Sequence, residues 1–69
     1  MYTLYLAATL NNLAMLEESQ NRLRQSRAYY EEDLDLFRKL YQTDPRRYSG
    51  DVARVEASLA QVDKKASSQ

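Results

Sequence analysis

The segment RLRQSRAYYEEDLDLFRKLYQTDP, residues 22–45, decides how this chain folds. Its apolar residues recur at intervals of seven, four, three and four, which places them on one face of an α-helix. They are Leu23, Tyr30, Leu34, Phe37 and Tyr41. Pro45 ends the pattern, because proline disfavours helical geometry at the preceding residue and donates no backbone hydrogen bond. The pattern predicts a long amphipathic helix over residues 22–42, with Tyr30 and Tyr41 packed in the core.

A second helical pattern precedes this segment, over residues 2–18. Leu6, Leu10 and Leu13 follow the four-and-three spacing of one helical face. A short polar turn separates the two helices. We expect Asn21 to be the N-cap of the second helix, because an asparagine side-chain oxygen accepts a free backbone N–H at a helix start.

A third helix is expected over residues 51–65, with Asp51 as its N-cap. The chain has one proline and one glycine, Pro45 and Gly50, and we interpret the stretch that holds them as the break between helices two and three. Residues 67–69 are expected to form a frayed tail.

These patterns predict an all-α fold in a single domain, residues 1–66, in which an antiparallel helix-turn-helix hairpin is followed by a third, capping helix. The chain has 69 residues and a mass of 8.1 kDa. Ordering a chain costs ~1.5 kcal/mol per residue, which the apolar burial of so small a chain only just offsets. We therefore expect self-association or docking on a partner to complete the core, with a homo-oligomer as the expected state.

Composition argues against several classes of function. The chain has no cysteine and no histidine, and its formal net charge is zero. We therefore expect no metal site, no cofactor and no enzymatic activity, since thiol, imidazole, phosphate-loop and nucleophile motifs are missing. Nucleic-acid binding requires a surplus of basic residues, and a membrane span requires a long apolar run. Neither feature is present, so we expect a soluble cytoplasmic protein that binds neither nucleic acid nor membrane.

Asp33 interrupts the apolar stripe of the second helix. A fully buried carboxylate must be paired, or its pKa shifts and it loses its charge. Two interpretations remain open: Asp33 lies at the partly hydrated edge of the packed face, or it forms a specific contact with an arginine or tyrosine across an interface.

An internal repeat relates the two ends of the chain. A shift of 46 residues aligns Tyr48 to Asp63 with Tyr2 to Glu17, with four identities. Repetition of a helix-turn-helix unit is typical of helical repeat proteins.

The order of residues in the hairpin resembles the tetratricopeptide repeat. Leu10, Leu13 and Ala14 match the large, apolar and small residues of that family's first helix, and Asn21 stands at its turn. The residues that match its second helix and the following break are Leu23, Tyr30 and Pro45. The resemblance covers about one and a half repeats, with lengthened helices. It also implies that Glu56 and Asp63, where the family has large or aromatic residues, give the third helix a polar outer face.

The resemblance implies a concave groove lined by the first and third helices. Its candidate lining residues are Asn11, Asn12, Met15, Arg54, Ser58, Gln61 and Lys65. In chaperone-binding members, an asparagine at the place of Asn12 and basic residues nearby hold a peptide's terminal carboxylate. Arg54 is placed for that role, whereas Ser58 stands where such members carry a second basic residue. The resemblance thus favours an acidic peptide ligand.

The expected function is a non-catalytic protein–protein interaction module. One alternative is a purely structural unit that assembles with copies of itself, through a candidate surface formed by Tyr2, Tyr5, Leu6, Asp33, Phe37 and Tyr41. Another is the C-terminal fragment of a longer repeat solenoid that binds an acidic peptide.

Overall fold

The computed structural model describes residues 2–68, which form three α-helices. The helices are α1 (Tyr2–Ser19), α2 (Leu23–Thr43) and α3 (Pro45–Ser67). The all-α fold predicted from the sequence is confirmed. The side chain of Tyr2, which was predicted for the self-association surface, lies outside the described part of the structure. Gln69 of the predicted tail lies entirely outside it.

α2 is the central helix, and both other helices pack on it. Its buried residues recur every three or four positions: Leu23, Ser26, Tyr30, Asp33, Leu34 and Phe37. α1 contributes Ala7, Leu10 and Ala14 to the buried set, and α3 contributes Tyr48, Val55 and Val62. Small side chains on α1 allow close approach, so that Ser26 Oγ on α2 donates a hydrogen bond to the Ala14 carbonyl at 2.8 Å. The three helices together measure 38 × 20 × 13 Å.

The turn between α1 and α2 corrects one expectation. Asn21 is not the N-cap of α2; that position is Arg22, which makes no side-chain capping bond. Asn21 instead adopts a left-handed backbone conformation with φ 61°. The Arg22 N–H donates to the Glu17 carbonyl at 2.8 Å and the Asn21 N–H to the Glu18 carbonyl at 3.0 Å. This is the Schellman arrangement that ends a helix, and asparagine tolerates its left-handed position.

The start of α3 corrects a second expectation. α3 begins at Pro45 rather than at Asp51, and Asp44 is its N-cap. The Asp44 side chain accepts a hydrogen bond from the Arg47 backbone N–H at 3.4 Å. The Asp44 backbone N–H donates to the Leu40 carbonyl at the end of α2. Proline is well suited to the first helical position, because its missing N–H would be unpaired there in any case. α3 also includes Ser67, so the predicted tail begins inside the helix.

Tyr41 is not a core residue, although Tyr30 is. Tyr41 is 42% exposed, whereas Tyr30 is buried. Beyond Phe37 the partly buried position against the core belongs to Leu40, three residues on, rather than to Tyr41, four residues on. A helix has 3.6 residues per turn, so both spacings fit the pattern, and packing selected the shorter one.

Gly50 provides a test of the long α3. It lies inside the helix, it is exposed, and a Cβ atom at this position would meet nothing within 4 Å. Gly50→Ala should stabilise the fold by ~0.5–1 kcal/mol, because glycine loses more backbone entropy in a helix than alanine. Thermal or urea unfolding measures the change. Ala53→Gly, at an exposed position one turn later, is the reverse control and should destabilise by a similar amount; no change in either variant would contradict helical structure here.

Candidate functional site

α1 and α3 lie side by side on α2, and polar side chains connect them. Arg54 Nη1 of α3 donates to Asn11 Oδ1 of α1 at 3.2 Å. Lys65 Nζ of α3 pairs with Glu18 Oε2 of α1 at 2.5 Å. We call the surface between these two bridges, with α2 beneath it, the α1–α3 groove.

Tyr30 of α2 lies beneath the Glu18 end of this groove. Its hydroxyl donates to Glu18 Oε1 at 3.4 Å. Burial and then the negative charge of Glu18 raise the pKa of Tyr30. Tyr30 is therefore a neutral hydrogen-bond donor that helps to hold Glu18 beside Lys65.

Arg54 has the largest set of contacts in the groove. Besides its bond to Asn11, its Nη2 lies 3.5 Å from Asp51 Oδ1, and its guanidinium lies 5.7 Å from the centroid of the Phe37 ring. An arginine stacked on an aromatic face gains a cation–π attraction. The Arg54 side chain nevertheless remains 47% exposed, so its guanidinium is accessible to a ligand.

Asp33 is fully buried on α2, with 0% exposure, and neither carboxylate oxygen has a hydrogen-bond partner among the described residues. Burial raises the pKa of Asp33 to about 6; the positive charge of Arg54 opposes this shift, and the negative charge of Asp51 adds to it. The expectation of a partly hydrated position is wrong. One helical turn beyond Asp33, Tyr48 of the longer α3 packs against Phe37.

The structure brings some of the predicted groove residues close together. Asn11 Nδ2 donates to Met15 Sδ at 3.4 Å, and Ser58 Oγ donates to the Arg54 carbonyl at 3.1 Å. Asn12 is exposed on α1. Gln61 and Lys65 lie further along α3 and line an open depression of about 620 Å³, together with Asn21, Lys64 and Ser68.

Sequence reasoning missed Glu18, which contacts both Lys65 and Tyr30. A signal for it was present. The two bridges join residues 43 and 47 positions apart, close to the 46-residue offset of the internal repeat. The repeat offset thus indicates which side chains of α1 and α3 face each other.

The predicted self-association residues divide into exposed and buried ones. Tyr5 and Tyr41 are exposed, and Leu6 is half-buried. Phe37 and Asp33 are buried within the chain, so they are not part of its surface. Leu16, which was not in that set, is 50% exposed. In residues 2–68 no helix is long and apolar enough to span a bilayer, and no group of acidic side chains is arranged to hold a metal ion.

The buried carboxylate leads to a prediction on pH and stability. Because the pKa of Asp33 is higher in the folded than in the unfolded chain, the ionised carboxylate destabilises the fold. This destabilisation is absent below pH 4 and grows as pH rises through about 6. At pH 7.5, Asp33→Asn should therefore raise the free energy of unfolding by up to ~3 kcal/mol, and Tm should rise accordingly. At pH 4 both increases should be much smaller. Thermal unfolding followed by circular dichroism at the two pH values measures this difference.

Asp35→Asn is the matched control, because Asp35 is exposed on the same helix. Its effect on Tm should be small at both pH values. Equal Tm changes for Asp33→Asn at pH 4 and pH 7.5 would contradict a buried, proton-binding Asp33.

Comparison with known proteins agrees with the three-helix arrangement. Residues 6–46, which span nearly all of α1, the turn and α2, match the model of the tetratricopeptide repeat family. Comparisons with curated proteins and with solved structures gave no match. Tetratricopeptide repeats are in general non-catalytic protein–protein interaction modules. The match covers more than half of the chain, and the chain belongs to the tetratricopeptide repeat family.

Proposed function

We propose that this repeat binds an acidic peptide segment of a partner protein in the α1–α3 groove, with Arg54 as the main contact. The observation that carries the proposal is the bond from Arg54 to Asn11 at 3.2 Å, across the groove, by an arginine that remains 47% exposed. Donors from two different helices meet at one accessible place, which is what recognition of a carboxylate requires.

The present partners of Arg54 and Asn11 are readily exchanged for a ligand carboxylate. Arg54 pairs with Asp51 through Nη2, whereas its Nη1 bonds the neutral amide oxygen of Asn11, and a carboxylate is a stronger acceptor for that nitrogen. The Asn11 amide donates to the sulfur of Met15, which is a weak acceptor. A ligand carboxylate that accepts hydrogen bonds from Arg54 and Asn11 therefore replaces two weak hydrogen bonds of the groove with two stronger ones.

The other basic residue of the groove is less available. Lys65 is paired with Glu18 at 2.5 Å, and Ser58 stands between it and Arg54 on α3. We therefore assign recognition of the ligand carboxylate to the Arg54 end and place the rest of the peptide along Ser58 toward Gln61.

A peptide titration tests this proposal. The probe is a six-residue peptide that ends in four aspartates with a free carboxyl terminus, titrated into the full chain by calorimetry at low salt. Arg54→Met should weaken binding about tenfold or more, because a hydrogen bond to a charged group contributes ~1.5–3 kcal/mol.

Arg38→Met is the matched control. Arg38 is an exposed arginine on α2 that pairs with Glu56 of α3 at 3.3 Å, outside the groove. Its replacement should leave the affinity within about twofold. Equal losses in the two variants would mean that net charge, rather than the groove, attracts the peptide.

A second candidate function, self-association, is favoured by a different observation. The outer face of α1, formed by Tyr5, Leu6, Leu13 and Leu16, is apolar, and Tyr5 is 74% exposed. Residues 2–16 contain no charged side chain. Within residues 2–68 neither α2 nor α3 covers this face, since Tyr5 and Leu16 remain exposed. We propose that a second copy covers it, since burying apolar surface is the main favourable term in association.

Light scattering over a tenfold range of concentration tests the second candidate. The wild type should form a dimer or larger species, and Leu16→Lys should shift it to the monomer, because a lysine ammonium is costly to bury. Gln25→Lys, which adds the same charge at an exposed position of α2, should leave the mass unchanged. A monomeric wild type at all concentrations would reject self-association.

A further inference from the structure

We propose that an acidic ligand binds in the α1–α3 groove together with a proton, which is taken up by the buried Asp33. This inference rests on the proposed function and adds its regulation. It starts from the position of Asp33, fully buried on α2 with two carboxylate oxygens that no described donor contacts. A buried polar group in this condition carries an uncompensated desolvation cost.

The charges around Arg54 explain why the ligand and the proton are coupled. Arg54 pairs with Asp51 at 3.5 Å and also acts electrostatically on Asp33. One guanidinium therefore already faces two carboxylates. A ligand carboxylate is a third one, and repulsion opposes its binding as long as Asp33 is ionised.

The two resident carboxylates differ in how much they resist the ligand. The Asp51 side chain is 39% exposed, so water screens its charge. Asp33 is buried, so its charge acts through a medium of low dielectric and is hardly screened. Protonation of Asp33 therefore removes the greater part of the repulsion.

The groups that face Asp33 from the neighbouring helices are few. From α3 they are Arg54 and Asp51. α1 has no charged side chain before Glu17. On α2 itself, Glu32, Asp35 and Lys39 line a depression together with Leu6, Leu10 and Leu36, and the charges that act on Asp33 are those of Arg54 and Asp51. Among the described residues, Arg54 is thus the cation that favours the ionised form of Asp33.

A ligand that engages Arg54 neutralises this cation. Without its field, burial acts unopposed and raises the pKa of Asp33 above its value of about 6 in the free chain. A group whose pKa rises on binding takes up a proton, and by linkage the same proton strengthens binding. Affinity should therefore increase as pH falls from 8 to 5.5.

The experiment repeats the calorimetric titration of the aspartate peptide at pH 5.5, 6.5 and 8.0. At pH 6.5 it is performed in two buffers of different ionisation heat, which gives the number of protons taken up. We expect the wild type to bind severalfold more tightly at pH 5.5 than at pH 8.0, because one proton changes affinity by at most tenfold per pH unit. A fraction of one proton should be taken up at pH 6.5.

Asp33→Asn mimics the protonated side chain. It should bind at pH 8.0 as tightly as the wild type does at pH 5.5, with no proton uptake. Asp35→Asn, the same change at an exposed position of α2, should keep the pH dependence of the wild type. Wild-type binding with no pH dependence and no proton uptake would overturn the proton coupling alone. No binding by any of these proteins at any pH would overturn the groove as a peptide site and the coupling with it.

A second measurement needs no ligand. The pKa of Asp33, read from the carboxyl carbon by NMR, should be higher in Arg54→Met than in the wild type and unchanged in Arg38→Met. An Asp33 pKa that is the same in the wild type and Arg54→Met would overturn the coupling even if the peptide binds.

Discussion

The structure depends on the buried stripe of α2, which serves two helices at once. α1 packs on α2 through small residues such as Ala7 and Ala14, and α3 packs on it through Val55 and Val62. Neither outer helix packs extensively on the other; side-chain bridges join them. The α1–α3 groove exists because α2 holds α1 and α3 side by side with few direct contacts between them. A change in the packing of α2 therefore alters the groove without touching its lining residues.

Asp33 is the residue of this buried stripe that destabilises the fold. The tetratricopeptide repeat places a small apolar residue where this chain has a carboxylate, and this position is completely buried. A small apolar side chain would pack there without a charge to desolvate. Local violations of packing rules are expected mainly at functional or strained sites. If Asp33 regulates the accessible guanidinium of Arg54, as we propose, this cost has a functional reason.

The helical periods of the sequence predicted the three helices and their main buried faces, and the resemblance of the hairpin's residues to the tetratricopeptide repeat indicated the family. The helix-breaking residues predicted the helix boundaries less well. Pro45 ends α2 as expected but also begins α3, because proline interrupts a helix only beyond its first turn. The full burial of Asp33 was not predicted, because a carboxylate is almost never fully buried without a partner. Asn11 and Arg54 were both predicted for the groove, whereas Glu18 was missed because charged helix ends are usually solvated.

The two candidate functions use different faces of α1, and they respond to different solution conditions. The outer face has no charge over residues 2–16, so association through it depends on concentration and little on salt. The proposed groove site is electrostatic, because the charge of the exposed Arg54 guanidinium acts on Asp51 and on the buried Asp33, so we expect its affinity to depend on salt and on pH. Because α2 positions α1 for both, the two functions are compatible in one molecule. We expect a copy on the outer face of α1 to leave Arg54 accessible, because Arg54 lies on α3.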